Sequence, residues 1–226
     1  PNRANLLWLQ ADKPGYFWGQ CAEYCGDSHA VMRFRVIALD KKAFAEWRDG
    51  QFQDARTVAP KIAAVAPNAQ FPALRSFKQN EYGFTKSWDP GASETPLSLW
   101  QKQQDPAKGE DADLIAKGRA LFAKNTCNTC HTIRGHQATG VTAPDLTHFG
   151  ARTTLAAGLL ENNPEQLQRW IHDPIAVKPG NKMAVGIGAM AGYYKKDDRS
   201  HLVKNPAITL TAADEAALVA YLLSLK

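Results

Sequence analysis

Between Cys21 and Met32 the chain reads Cys21, Ala22, Glu23, Tyr24, Cys25, Gly26, Asp27, Ser28, His29, Ala30, Val31, Met32, and this stretch restricts the fold more than any other. Two cysteines four apart, a histidine four further on and a methionine three beyond it bring thiolate, imidazole and thioether donors into one short loop. Soft sulfur with one imidazole selects copper or zinc over magnesium or calcium, and a thioether tilts the choice to copper, because zinc sites seldom use methionine. A single blue copper needs one thiolate. Two thiolates suggest two copper ions bridged by both sulfurs. A structural zinc knuckle or a disulfide is the plainer alternative, but neither accounts for the spacing of His29 and Met32.

These residues resemble the binuclear copper (CuA) domain of subunit II of haem–copper cytochrome c oxidases. The resemblance implies that Cys21 and Cys25 bridge the coppers, that His29 ligates one and Met32 the other, and that Glu23 ligates through its backbone carbonyl. It also implies that the Glu23 carboxylate faces the catalytic subunit, where family members hold a magnesium ion. The similar loop of nitrous oxide reductase has an aromatic residue at this position, so Glu23 matches the oxidase version. The family's remaining copper ligand is a histidine on an upstream strand, which residues 1–20 do not supply.

A chain of 226 residues with 44% hydrophobic content can bury a core, as one large domain or two small ones. The four cysteines fall in two tight pairs far apart, each in its own motif, which favours two. The formal net charge of +5 is spread along the chain, and no polybasic run argues for nucleic acid. No apolar run reaches the length of a transmembrane helix, and no signal peptide is recognisable.

Leu6–Gln10 and Tyr16–Gln20 read as short strands of a hairpin, separated by the turn signal Lys13, Pro14, Gly15. From Ala30 to Leu39 the residues alternate, with Met32, Phe34, Val36 and Ala38 expected on a core-facing side. Asp40 is positioned to cap a helix through Phe44 and Trp47 that Gly50 ends. Residues 51–107 are broken by Pro60, Pro67, Pro72, Pro90, Pro96 and Pro106 and read as a linker. The linker also carries Phe71, Phe77, Tyr82, Phe84, Trp88 and Trp100. That aromatic surface suits a segment packed over its own two domains, or a belt docked on neighbouring subunits.

The second motif is Cys127, Asn128, Thr129, Cys130, His131, the pattern that attaches haem c through two thioether bonds and makes the adjacent histidine the proximal iron ligand. The pentapeptide alone also fits a thioredoxin-like redox pair, and its surroundings decide for haem. Leu114, Ile115, Gly118, Leu121 and Phe122 form a helical stripe ahead of it. Thr211 opens a last helix with Ala217, Leu218, Tyr221, Leu222 and Leu225 on one face. Gly118, Phe122 and Tyr221 resemble the glycine and aromatic pair at which the first and last helices of small c-type cytochromes cross. Asn163, Pro164 and Gln166 start another helix, which Asp173 and Pro174 stop.

For the sixth iron ligand, Met183 and Met190 both qualify. Lys178, Pro179, Gly180, Asn181, Lys182, Met183 resembles the run that carries this ligand in cytochrome c domains fused to subunit II, which favours Met183; Ala184 stands where the family usually has proline. By the same resemblance the Pro144 carbonyl holds the proximal imidazole proton, and Trp170, otherwise a core residue, lies beside the haem propionates; Arg152 is a further candidate for propionate contact. His136, His148, His172 and His201 stand at no metal spacing and are expected to be solvated or satisfied in the core.

The combined resemblance is to subunit II of caa3-type cytochrome c oxidases. It implies an α+β chain of two domains: a partial cupredoxin-like β-sandwich over residues 1–48, a linker over 49–106, and an all-α class I cytochrome c domain over 107–226. The expected role is to pass electrons from haem c to the copper pair and on to subunit I, which reduces oxygen as protons are translocated. The upstream donor is expected to be a cytochrome c or a quinol-oxidising complex. The implied location is the outer face of a bacterial membrane, with anchoring helices lying outside this chain. A free two-centre electron carrier or sensor and the copper subunit of a nitric oxide reductase are the competing readings.

Overall fold

A computed structural model describes residues 6–26, 28–60, 95–181, 183 and 210–226. The aromatic residues from Phe71 to Trp88, together with Met190 and His201, lie outside the described residues.

The first unit is a hairpin. Strand β1 (Gly15–Gln20) pairs antiparallel with β2 (Arg33–Ala38), from Gly15 opposite Ala38 to Gln20 opposite Arg33. The expected pairing of Tyr16–Gln20 with Leu6–Gln10 does not form: residues 6–10 are not strand, and Leu6, Leu7, Trp8 and Leu9 are at least 85% exposed. The partner of β1 lies instead on the far side of the Cys21–Met32 stretch, which makes that stretch the hairpin's connecting loop. Gly19 allows this pairing its tightest contact, because the Phe34 ring occupies the space a Cβ there would need. Met32 (36% exposed) and Phe34 (54%) do not face a core as the alternation suggested. The hairpin is a two-stranded sheet, and among the described residues no second sheet covers that face.

Helix α1 (Lys41–Gln51) follows at once, capped by the Asp40 side chain accepting from Ala43 N–H at 2.9 Å. Gly50 lies inside its last turn rather than after it. Beyond α1 the chain folds back on the second unit: Ala55 N–H donates to Arg134 O at 3.0 Å, and the Arg134 guanidinium donates to the carbonyls of Gln51 and Gln53. Arg56 pairs with Glu110. Helix α2 (Pro96–Gln103) buries Trp100, and Gln103 and Gln104 donate to Gly150 O and Ala151 O, each at 2.9 Å. Both described ends of the middle segment therefore pack on the second unit.

That unit holds the hydrophobic core. Its frame is α3 (Ala112–Lys124) crossed by α7 (Ala212–Ser224). They approach at Gly118, where an added Cβ would collide with the Ala217 carbonyl and stand 2.7 Å from Tyr221 Cβ. Phe122 and Tyr221 meet edge to face with centroids 5.7 Å apart. Ile133, Leu159, Leu160, Leu167 and Leu225 are each at most 2% exposed around this crossing, and each such burial stabilises the fold by about 1.5–3 kcal/mol. The short α4 (Cys127–Cys130) carries the cysteine motif. Helix α5 (Pro164–His172) ends as expected, after which Asp173 caps one further turn, α6 (Pro174–Val177). The unit is not purely helical. Two small antiparallel ribbons, β3 (Thr132–Ile133) with β4 (Ala138–Thr139) and β5 (Thr154–Leu155) with β6 (Leu160–Glu161), brace its loops.

No helix among the described residues is long and apolar enough to cross a membrane.

Candidate redox centres

The loop from residue 21 to 32 is closed at its neck by Cys21 N–H donating to Met32 O at 2.9 Å, one step beyond the last paired residues of the hairpin. A 3₁₀ turn at His29–Val31, with His29 N–H donating to Gly26 O at 3.0 Å, then aims the imidazole back at the cysteines. The consequence is a cluster of donors. Cys21 Sγ and Cys25 Sγ are 3.4 Å apart, Cys25 Sγ lies 3.8 Å from His29 Nδ1 and 3.7 Å from Met32 Sδ, and Cys21 Sγ is 3.1 Å from Glu23 O. The two sulfurs and the imidazole nitrogen all fall within 4.8 Å of one another.

All four cysteines are free thiols. The hydrogen bond from Cys21, reinforced by desolvation and by the Cys21 charge, raises the Cys25 pKa. A metal ion reverses that preference, because a coordinated thiol gives up its proton. Two close sulfurs, one imidazole, one thioether and one carbonyl fit soft, copper-type coordination. The Glu23 carboxylate is exposed and takes no part in the cluster.

In the second unit, His131 follows α4 in extended backbone and donates its Nδ1–H to Pro144 O at 2.7 Å. That bond fixes the tautomer and leaves Nε2 as the atom able to ligate a metal. Burial, followed by the nearby Arg152 charge, lowers the His131 pKa despite the Pro144 bond, so the ring is neutral as a ligand must be. Cys127 is pushed up to about 11 by burial. The Phe122 ring lies against His131 with centroids 6.4 Å apart, tying the motif to the helix crossing. Arg152 donates to Asp145 O at 2.6 Å and stands over Phe149. Trp170 packs against the core from α5.

Met183 is held from behind. Gly180 takes a left-handed φ of 84°. Asn181 donates to Pro174 O and Lys178 O at 2.5 and 2.7 Å and accepts from Met183 N–H at 3.0 Å. The Met183 side chain is 45% exposed.

The other described histidines have structural partners. His136 is buried between Tyr221 Oη (2.8 Å) and Thr57 Oγ1 (3.2 Å), His148 contacts Gln53 O, and His172 pairs with the buried Glu215 at 2.8 Å.

Sequence reasoning missed a set of contacts between the two units. Ser28 Oγ–H donates to Pro179 O at 2.7 Å, Tyr16 Oη and Thr153 Oγ1 are 2.9 Å apart, and the Arg35 guanidinium, stacked on Trp18, donates to Gly158 O at 3.0 Å. No periodicity or motif signals these bonds, since each joins segments more than a hundred residues apart.

Two family models match the chain. Residues 1–39 match the periplasmic domain of cytochrome c oxidase subunit II, and residues 115–226 match cytochrome c. Among curated proteins, a cytochrome c oxidase subunit 2 of Alkalihalophilus pseudofirmus is 31% identical over the whole of this chain and 44% of its own length. One from a Bacillus species is 32% identical over 80% of this chain and 38% of its own length, and that of Bacillus subtilis is 28% identical over 74% and 33%. The chain thus spans less than half the length of these relatives.

Proposed function

We propose an electron-carrying role for this chain, which belongs to the cytochrome c oxidase subunit II family in its caa3-type form, with a cytochrome c domain behind the copper-binding loop. Its two prosthetic groups, haem c and a binuclear copper centre, supply reversible one-electron chemistry when bound. The residues supply ligands, position and burial. Cys21 and Cys25, with His29, Met32 and the Glu23 carbonyl, would hold the copper pair. Cys127 and Cys130 would anchor the haem, and His131, steered by Pro144, and Met183 would supply the ligands to its iron. Arg152 and Trp170 would lie beside the haem propionates.

Residues 1–48 then form the end of a cupredoxin-like copper domain, 49–106 a join that packs on its neighbours, and 107–226 a class I cytochrome c domain. The exposed Glu23 carboxylate meets a magnesium ion at the face of subunit I. Electrons arrive from a cytochrome c or a quinol-oxidising complex and leave for subunit I, where oxygen is reduced and protons are translocated. The chain works on the outer face of a bacterial membrane, to which the intact protein is anchored.

One observation carries this reading: five donors of copper-type chemistry converge on a loop whose tip is hydrogen-bonded to the segment leading into Met183. Metal analysis and electron paramagnetic resonance of the full-length protein test it. The expected result is covalently bound haem and two coppers per chain sharing one unpaired electron. Zinc in the loop, or haem lost on acid extraction, would overturn it.

A further inference from the structure

The turn that joins β5 to β6 is under backbone strain and is held from outside. Ala156, Ala157 and Gly158 take successive left-handed φ values of 54°, 59° and 69°. For the two alanines this conformation is unfavourable and persists where surrounding contacts over-determine it. Those contacts are explicit, one on each carbonyl. Ala156 O accepts from Lys178 Nζ at 3.2 Å, Ala157 O from Arg33 N–H at 2.9 Å, and Gly158 O from Arg35 Nη2 at 3.0 Å. Arg33 and Arg35 lie on β2, directly after Met32, whereas Lys178 begins the run that ends at Met183. A single strained turn therefore grips the metal loop's strand with two bonds and the haem-side segment with a third.

Lys178 contributes more than that bond. It is only 8% exposed, and the next residue, Pro179, accepts the Ser28 hydroxyl from the metal loop at 2.7 Å. An ammonium is costly to bury, and the Ala156 carbonyl is the acceptor that holds this one.

We propose that Lys178 and the left-handed turn Ala156–Gly158 are positioning elements that latch the copper loop onto the haem-side segment, with the Ser28–Pro179 bond as the through-bond link between them. This rests on the electron-carrying role above. One electron crosses the junction, and no bond or proton changes hands at these residues. The buried ammonium keeps the two loops in contact despite the strain of the turn.

The test uses the full-length protein in its assembled oxidase, with Lys178→Leu, Lys178→Arg and the milder Ser28→Ala. Amide hydrogen exchange at Arg33 reports the latch, and the rate of electron exchange between the centres after rapid reduction reports its purpose. Haem absorbance and the copper resonance signal serve as controls. Lys178→Leu is expected to speed Arg33 exchange about tenfold or more, the scale set by one charge-assisted hydrogen bond, and to slow inter-centre transfer by a similar factor. Lys178→Arg is expected to restore both in part, and Ser28→Ala to slow transfer with both control signals intact. Wild-type transfer rates in both Lys178→Leu and Ser28→Ala would overturn the latch, as would faster Arg33 exchange with unchanged transfer. If the unmodified protein passes no electron between its centres, the electron-carrying role itself fails, an outcome distinct from failure of the latch.

Discussion

His131 shows how one hydrogen bond defines a ligand. Its Nδ1–H is committed to Pro144 O and burial keeps the ring neutral, so Nε2 presents a lone pair for iron. Pro144 could be picked out in advance because the Ala143–Leu146 segment resembles a known pattern. Lys178 could be seen only as part of the run before Met183, since its contact with Ala156 depends on tertiary placement. Met183 is the testable member of the proposed axial pair. Met183→Leu should abolish the weak sulfur-to-iron band at the red end of the oxidised spectrum and lower the haem potential, because thioether ligation raises it. Met190→Leu should do neither, and the reverse pattern would transfer the ligand role to Met190.

Among the elements, α1, α3, α5 and α7 were predictable because their signals are local, whereas α2 lies in a stretch that reads as linker. Asp40, Asp111, Asn163 and Thr211 each cap the helix that follows, and Thr211 with Asp214 forms a reciprocal capping box. Strand pairing was not predictable in the same way. Leu6–Gln10 has strand-like composition, but the partner of β1 is selected by a ladder that closes across the twelve-residue metal loop, and composition does not encode that choice. The α3–α7 crossing depends on Gly118, where the obstacle to a side chain is the Ala217 backbone and cannot rotate away. Gly118→Ala should therefore cost at least the usual overpacking penalty of about 1–3 kcal/mol, measured by denaturant unfolding of the haem-loaded protein.

The α7 cap also sets an acid limit. Burial alone would raise the Asp214 pKa, but the Thr211 hydrogen bonds and Lys117 at 3.4 Å outweigh it and hold the carboxyl below its ordinary 3.8. A depressed folded pKa means that the stabilisation is fully present above 3.8 and is lost as pH falls through the folded value. Unfolding midpoints measured downward from pH 5 should therefore fall less steeply in Asp214→Asn than in the parent protein, because that variant has no carboxylate to protonate.

Across the molecule, the core lies in the second unit and the hairpin contributes no buried residue, so the metal loop takes its support from the surface it leans on. Tyr16, Ser28, Arg33 and Arg35 all bond to segments of the haem-side unit. The two motifs in the sequence suggest two centres in one chain. The interface adds that the two units are held together by bonds in which none of the proposed metal ligands takes part. The electron-carrying account requires that electrons reaching the haem have no productive exit except through the Cys21–Cys25 cluster. The direct measurement is oxygen uptake by the assembled oxidase carrying Cys25→Ser, with the haem c absorbance followed in the same sample after an external donor is added. The account predicts that haem c is reduced and stays reduced while oxygen uptake stops, and oxygen uptake at the unmodified rate would contradict it.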